Sequence, residues 1–323
     1  MRISRRQFLI SLSALPFADQ AFAQLSRTPP IRLILSTSPG GGADVTTRLI
    51  APRVTELLQG QTIIIEGRPG GGGLIAGSVV AREAPDGLTF LVDITSHAVN
   101  PAIRRQMPYK VLEDLVPVTQ VVRGANVLVV TPSLGVATLS EFVALVKERE
   151  GKISYASSGI GSAQHLAMEI FKAKAGLEMI HVPYRGGGPA LVDLMAGTVQ
   201  AFFAFLPSAA PYIRDGRMKA IATTGSVRAA AMPDLPTIAE CGYPGFESYD
   251  WNGIFAPAHT PESSIRRLRD AVAEALTDTT IKQRLDEIGI EPVGSTPEEF
   301  RSFLEREIVK YRDVVQRLGI TVD

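Results

Sequence analysis

The sequence contains a single cysteine, Cys241, so it cannot form an intrachain disulfide or a thiolate metal cluster. Lysine plus arginine and aspartate plus glutamate are equal at 33 residues each, and this balance provides no basic surface for nucleic acid or an anionic membrane. We therefore expect the partner to be a small molecule or another protein, and no nucleic acid.

Long apolar runs are also absent, because no stretch after residue 23 approaches the ~20 apolar residues that a membrane span requires. The motifs G-x-S-x-G, H-E-x-x-H and G-x-x-x-x-G-K-[ST] do not occur. The four histidines have neither metal-ligand nor triad spacing. We therefore predict no enzyme activity, no metal and no cofactor, while an exported α/β enzyme remains open as an alternative.

Residues 1–23 have the pattern of an export signal. Arg5 and Arg6 precede a mildly apolar stretch, and the sequence Ala-Phe-Ala at residues 21–23 is a small-residue cleavage site. This pattern predicts a signal peptide of the twin-arginine type, a mature protein that begins near Gln24, and a periplasmic location.

In the remaining ~300 residues, short apolar strands alternate with helical patterns, which is typical of an α/β fold with both sheet faces covered. Two strands are predicted within residues 115–130, on either side of a polar break at Arg123–Asn126, and residues 249–257 are predicted to cross back. We therefore predict two lobes, formed by residues 24–125 plus 247–323 and by residues 126–246.

Four glycine-rich loops follow predicted strands and precede predicted helices, at residues 39–42, 67–73, 157–162 and 185–188. Glycine lets the backbone come close to a ligand, and the unpaired N–H groups at a helix start attract anions. Asp44 and Ser162 are expected to cap the helices after the first and third loops. Together, the four loops predict a cleft for a small anion.

Other polar candidates lie close to these loops. Thr95, Ser96 and His97 follow a strand, at the carboxyl edge of the sheet where ligands gather. A surface or supporting role for His97 remains open. Arg185 stands beside the fourth loop and is suited to a bidentate bond to a carboxylate, although a solvated surface arginine remains an equal alternative.

Several short motifs follow one another in a fixed order along the mature chain. They are Ser38–Gly41 with Asp44, Glu66–Gly70, Ala84–Gly87, Asn100–Pro101, Tyr155–Gly159, His181–Tyr184 and Glu291–Pro297. In order and spacing they resemble the Bug-type extracytoplasmic solute receptors of tripartite tricarboxylate transporters. The resemblance implies an α/β, two-lobed periplasmic binding protein of the Venus-flytrap, type II-like kind, each lobe a mainly parallel sheet flanked by helices.

The resemblance also implies a monomeric receptor that closes on a small carboxylate and delivers it to membrane transporter subunits. It assigns carboxylate binding to Pro39, Gly40, Gly41 and Gly42 in the first lobe, to Ser157, Ser158 and Ser162 in the second, and a lining role to Thr95, Ser96 and His97. A sensory adaptor that presents its ligand to a membrane signalling protein would use the same cleft and remains open.

One departure from the family pattern concerns Ala204 and Phe205, because the family often has an acidic residue there that suits a ligand ammonium. If these residues face the cleft, the missing carboxylate favours an acid without an amine, and Phe205 suits an aromatic ligand body. In the alternative, Phe205 points into the core of the lobe, and the sequence does not fix the strand register that decides between them.

Overall fold

The computed structural model describes residues 28–320, so the predicted signal peptide lies outside the described residues. The chain first forms three strands and three helices of lobe 1 and then a long strand. These elements are β1 (Ile31–Leu35), α1 (Gly42–Leu57), β2 (Ile63–Gly67), α2 (Leu74–Val80), β3 (Thr89–Ile94), α3 (Ser96–Ile103) and β4 (Leu115–Val130). A short 3₁₀ helix, Gly71–Gly73, precedes α2.

The middle of the chain forms lobe 2, and the C-terminal part returns to lobe 1. Lobe 2 contains α4 (Leu139–Glu148), β5 (Ser154–Ser157), α5 (Ala163–Ala175), β6 (Ile180–Pro183), α6 (Gly187–Ala196), β7 (Ala201–Phe205), α7 (Leu206–Arg214) and β8 (Lys219–Thr223). The returning elements are β9 (Tyr249–Pro257), α8 (Glu262–Ala275), α9 (Thr279–Glu287), β10 (Ile290–Pro292) and α10 (Pro297–Leu318). No helix within residues 28–320 has the length and apolar character needed to cross a membrane.

The strands form one mixed sheet in the order β2-β1-β3-β9-β4-β7-β5-β6, with β8 and β10 also paired to β4. The outer strands are parallel, since β1 pairs in parallel with β2 and β3, and β5 with β6 and β7. The central pairs β3–β9, β9–β4 and β4–β7 are antiparallel. The predicted α/β fold with two lobes is confirmed.

β4 is one continuous strand, which differs from the two strands predicted on either side of a break. Its residues Leu115–Ala125 pair with β9, whereas Asn126–Val130 pair with β7 and β8. The polar residues at the expected break have edge partners, because Arg123 Nε lies 2.7 Å from Glu291 of β10. One strand therefore runs from lobe 1 into lobe 2.

Helices cover both faces of the sheet in each lobe, because alternate residues of a buried strand point to opposite sides. Leu33 and Leu35 of β1 pack in a core with α1, α8 and α9, while Ile34 packs in a second core with α2, α3 and α10. In lobe 2, α4 and α5 cover one face and α6 and α7 cover the other. This layering leaves the loops at the strand ends free for ligand contacts.

Side-chain caps stabilise several helix starts. Capping boxes are present at Thr138 with Glu141 and at Thr296 with Glu299, each with hydrogen bonds in both directions. Ser162 Oγ accepts the N–H of His165 at 3.2 Å and caps α5, as predicted. These local bonds satisfy backbone donors that the helices themselves leave unpaired.

Candidate functional site

The first glycine loop joins β1 to α1 at the carboxyl end of β1. Pro39 and Gly40 are exposed, and Gly41 and Gly42 are half-buried. Gly41 occupies the N-cap position of α1 with an extended backbone (φ −72°, ψ 165°) and provides no side-chain cap. Because the first N–H groups of a helix have no acceptor within it, those of α1 remain available to an anion.

The prediction that Asp44 caps α1 is wrong, because α1 begins before it, at Gly42. Asp44 lies in the first turn, where its Oδ2 accepts the N–H of Gly40 at 3.0 Å and its Oδ1 accepts Arg48 Nε at 2.8 Å. Both carboxylate oxygens are therefore engaged. Asp44 fixes the loop, and the Arg48 charge offsets its own at the anion-attracting end of the helix.

Sequence reasoning missed two hydroxyl groups in this loop. The side-chain oxygens of Ser36 and Thr37 are buried without a hydrogen-bond partner among the described residues. Burial of an unpaired hydroxyl is costly, which makes both groups natural partners for a polar ligand. The signal in the sequence was their place, between the end of a buried strand and three glycines.

The corresponding loop of lobe 2 joins β5 to α5. Gly159 (φ 132°) and Gly161 (φ 77°) adopt backbone conformations that L side chains rarely take. Ser157 is buried, and its Oγ accepts the N–H of Gly159 at 3.2 Å. Within the described chain, the N–H groups of Ser158 and Ile160 have no acceptor. The loop thus offers free backbone donors beside the start of α5.

A group of ionisable and aromatic side chains lies beneath this loop. His165 Nδ1 accepts the N–H of Gly161 at 3.1 Å, and His181 Nε2 lies 2.7 Å from Ser157 Oγ. The two imidazoles stack with their centroids 4.1 Å apart. Burial lowers the pKa of His165 to about 4, against the opposing effect of Glu169. Burial and the neighbouring His165 lower the pKa of His181 to about 4.

The fourth loop lies against the third. The N–H of Gly186 donates to the carbonyl of Ser158 at 3.2 Å, and α6 begins at Gly187 without a side-chain cap. Pro189 is the third residue of this helix. Arg185 is exposed, so its role in holding a carboxylate stays a prediction.

Thr95, Ser96 and His97 are buried at the start of α3, and the ligand contact of His97 stays a prediction. Its Nδ1 lies 2.9 Å from Asp93 Oδ2, its Nε2 lies 3.2 Å from the carbonyl of Val111, and its ring stacks on Phe255. Because both ring nitrogens are paired and the ring has no exposed surface, His97 stabilises the end of β3 from within the protein interior.

A carboxylate that sequence reasoning missed connects the two lobes. Asp250 of β9 is buried and accepts hydrogen bonds from Thr95 Oγ1 at 2.8 Å, Gln164 Nε2 at 2.9 Å and the N–H of Trp251 at 3.1 Å. Burial raises the pKa of the Asp250 carboxyl, and these hydrogen bonds oppose the shift. Thr95 belongs to lobe 1 and Gln164 to α5, so Asp250 bridges the lobes.

The end of β7 meets the start of α1 through Phe205. Its ring packs against Gly42 and Gly124, where an added Cβ would lie within 2.8 Å of ring atoms. Phe205 therefore contacts lobe 1 and does not point into the core of lobe 2. Ala204 faces the opposite way and is fully buried among lobe 2 core residues, and its role in lining the cleft stays a prediction.

Neighbouring loops touch within lobe 1, because a Cβ at Gly67 of the second loop would lie 3.6 Å from the carbonyl of Thr37. Between the lobes, a Cβ at Gly161 would meet Ile103 of α3, and the Asp250 bridge and Phe205 make further contacts. The starts of α1 and α5 therefore lie in different lobes, each beside one of these interlobe contacts. Within residues 28–320, no cluster of His, Cys, Asp or Glu could hold a metal ion.

Two lobes joined by shared strands, with glycine loops at the strand ends, define a periplasmic binding protein fold. The sequence model of the tripartite tricarboxylate transporter family receptor matches residues 46–320. The chain belongs to this family, whose members are solute-binding receptors, and the resemblance noted in the sequence is confirmed.

Similar proteins cover nearly the whole chain. The protein BugT of Bordetella pertussis is 37% identical over 292 residues, which are 90% of this chain and 89% of BugT. The structure of R. palustris Rpa4515 with adipate has 36% identity and a TM-score of 0.87, over 91% of this chain and 98% of that one. MatC (Rpa3494) from Rhodopseudomonas palustris with bound malate has 31% identity and a TM-score of 0.82, over 89% and 99%.

Proposed function

We propose that this protein is a periplasmic receptor that captures a small carboxylate between its lobes and delivers it to a membrane transporter. The observation that carries the proposal is the pair of helix starts, α1 and α5, which have free backbone N–H groups and lie in different lobes, each beside a contact between the lobes. Backbone donors at helix N-termini bind carboxylates and phosphates through both hydrogen bonds and the helix dipole. Two such ends suit a ligand with a carboxylate at each end.

The similar proteins support this ligand class, because two of them were solved with the dicarboxylates adipate and malate. Pro39 to Gly42, with Ser36 and Thr37, would hold one carboxylate. Ser158, Ser162 and the N–H of Ile160 would hold the other. Ser157 sits behind its loop and supports the backbone that makes these contacts.

Calorimetry at pH 7.5 with adipate, malate and succinate tests the proposal. Adipamide is a matched control, because it keeps the length of adipate but has no charge. A receptor for carboxylates binds at least one of the acids and not the amide, and 100-fold excess over Kd raises the free energy of unfolding by about 2.7 kcal/mol. Equal binding of adipate and adipamide, or no binding of any acid, would contradict it.

Phe205 provides a proposal for ligand choice. Its half-buried ring presents an apolar surface where a carboxylate would otherwise pair with a ligand ammonium. Asp250 is the carboxylate of the interlobe bridge, and both of its oxygens already accept hydrogen bonds. We therefore expect acids without an amine to bind more tightly than their amino-acid counterparts.

Matched pairs decide this point, because succinate with aspartate and glutarate with glutamate differ only in the amine. Calorimetric titration of both pairs should show weaker binding of each amino acid. The opposite order would refute the proposed ligand choice and leave the receptor function standing. In that outcome, loss of amino-acid binding in Asp250→Asn would identify the carboxylate that pairs with the ammonium.

Export and delivery complete the proposed function. Replacing Arg5 and Arg6 by lysine should stop transport through the twin-arginine route, and unchanged export would favour a general secretory signal. A pull-down from solubilised membranes, with and without adipate, identifies the partner. Recovery of transporter subunits supports delivery, whereas recovery of a signalling protein would make the receptor a sensory adaptor.

A further inference from the structure

Two glycines of the β5–α5 loop adopt backbone conformations that other residues rarely take, and hydrogen bonds to side chains hold them in these conformations. Gly159 and Gly161 both have positive φ angles, and each donates its N–H to a side chain beneath the loop. Gly159 donates to Ser157 Oγ, which lies 2.7 Å from His181 Nε2. Gly161 donates directly to His165 Nδ1 at 3.1 Å. One histidine therefore contacts its glycine directly, and the other contacts its glycine through Ser157.

The histidine pair packs against side chains of β5 and α5. The rings stack at 4.1 Å with 12° between their planes, and Tyr155 of β5 stacks on His181 from another side at 4.9 Å. Glu169 and Lys172 of α5 face the pair, and Glu169 accepts from Lys172 at 2.7 Å and from the Tyr155 hydroxyl. These are the charged and titratable groups that surround the two rings.

The geometry determines which protonation state holds the loop. A ring nitrogen that accepts an N–H must carry its lone pair, so His165 is neutral with its proton on Nε2. A second proton on Nδ1 would face the N–H of Gly161. Protonation of both rings would also stack two cations at 4.1 Å, beside Lys172.

We propose that His165 and His181 are positioning residues, whose neutral rings hold the β5–α5 loop in the conformation that binds the ligand's carboxylate, and whose protonation weakens binding. This inference rests on the proposed function. Neither ring touches the ligand, because they act through Gly161, Ser157 and Gly159. The depressed pKa values agree with a pair that stays neutral at ordinary periplasmic pH.

Paired substitutions distinguish the effect of the nitrogen acceptor from the effect of the stacked ring. His165→Asn places an amide oxygen near the position of Nδ1, and His181→Gln places an amide near Nε2. Because these amides replace the ring nitrogens, both variants should keep adipate affinity within about threefold at pH 7.5. Asparagine and glutamine do not titrate. His165→Phe and His181→Phe keep the stacked ring without a nitrogen, and each should weaken binding on the order of tenfold. His259→Asn is the control, because His259 is exposed and its positive φ tolerates asparagine.

The pH profile distinguishes positioning from simple packing. Adipate itself titrates in the acidic range, so each affinity is divided by that of the doubly substituted His165→Asn, His181→Gln protein at the same pH. This ratio should be constant from pH 7.5 to 6 and fall about three- to fourfold by pH 4, because both rings have that pKa and only about a quarter to a third of the molecules then keep both rings neutral. A flat ratio would overturn the proposed effect of protonation.

Two further results test the positioning role of the histidines independently of the receptor function. Hydrogen exchange at Gly161, measured without ligand, should accelerate in His165→Phe and stay slow in His165→Asn. Equal protection in both variants would refute the positioning role even if adipate binds. Conversely, failure of the unsubstituted protein to bind any carboxylate at pH 7.5 would refute the receptor proposal, while the exchange result would still report on the loop.

Discussion

Gly42 and Phe205 show how one residue in each lobe sets the distance between them. An added Cβ at position 42 would lie 2.5 Å from Phe205 Cε1 and 2.8 Å from Cδ1, closer than real contacts allow. The ring can reach α1 only because glycine stands at its first position. A side chain from lobe 2 thus contacts the backbone that we propose binds the ligand.

We expect Gly42→Ala to displace the Phe205 ring and to weaken adipate binding by about 1–3 kcal/mol, the cost of forcing an extra group into a packed contact. Adding Phe205→Ala should recover part of the loss, because the smaller side chain restores the space. Calorimetry on the single and double variants measures both effects.

Gly188→Ala is the matched control for this experiment. Gly188 also lies at the start of a helix, but an added Cβ there would have no neighbour within 4 Å. We expect its affinity to be unchanged. Unchanged adipate affinity in Gly42→Ala would show that the contact between Phe205 and residue 42 does not affect ligand binding.

At the residue scale, the sequence predicted the roles of loop residues better than it predicted their hydrogen-bond partners. Ser162 was placed correctly because its bond to His165 spans three residues and follows a local rule. Asp250 was missed because its partners Thr95 and Gln164 are 155 and 86 residues away in sequence. The direction of Phe205 was left open because alternation along a strand needs a register, which only the pairing of Asn126 with Phe205 supplies.

At the scale of elements, long periodic helices and buried strands could be predicted from the sequence, and short irregular ones could not. α3 was missed because six of its eight residues are buried and it contains Pro101, so no polar face marks it as a helix. α7 is also hard to recognise in the sequence, because it contains Pro207 and Pro211 and proline is unfavourable inside a helix. β10 has three residues and exists only through its pairing with β4.

Two segments carry the chain between the lobes, β4 near residues 123–127 and the stretch at residues 246–252. We expect the lobes to move about these crossings, with the open form favoured without ligand and the closed form favoured by it. Small-angle scattering should therefore give a smaller radius of gyration with saturating adipate than without it.

Gly41→Val provides the control for the scattering experiment. Its backbone angles suit any residue, but an added side chain would stand 3.1 Å from the carbonyl of Ser38, over the N–H groups of the loop. This variant should fold, fail to bind and show no change in radius with adipate. Identical profiles for the unsubstituted protein with and without ligand would argue against hinge closure.

At the scale of the whole molecule, the buried histidines make stability depend on pH. Burial holds the pKa of His165 and of His181 at about 4, below the ordinary value of 6.5 that they regain on unfolding. Between these values the unfolded chain binds more protons, so the free energy of unfolding falls as pH decreases from about 6.5 to about 4. At about 1.36 kcal/mol per pKa unit, we expect each histidine to contribute a loss of roughly 3 kcal/mol over this range.

Chemical denaturation at several pH values measures this loss, and the His165→Asn, His181→Gln protein should lose less stability over the same range. Asp250 acts in the opposite direction, because burial raises its pKa and the folded state then takes up a proton more readily. Asp250→Asn removes that opposing contribution. Equal pH dependence with and without the histidines would contradict the prediction.

The insertion of β9 between β3 and β4 has a consequence for how the chain folds. Lobe 2 is formed by one continuous segment, whereas the sheet of lobe 1 lacks an internal strand until residues 249–257 arrive from the far side of lobe 2. Contacts that close large loops form slowly, so lobe 2 should acquire its structure first and template the other half along β4. Pulsed hydrogen exchange during refolding should therefore protect β5 and β7 before β1 and β3, and the slow docking of β9 sets the time at which the receptor can first bind.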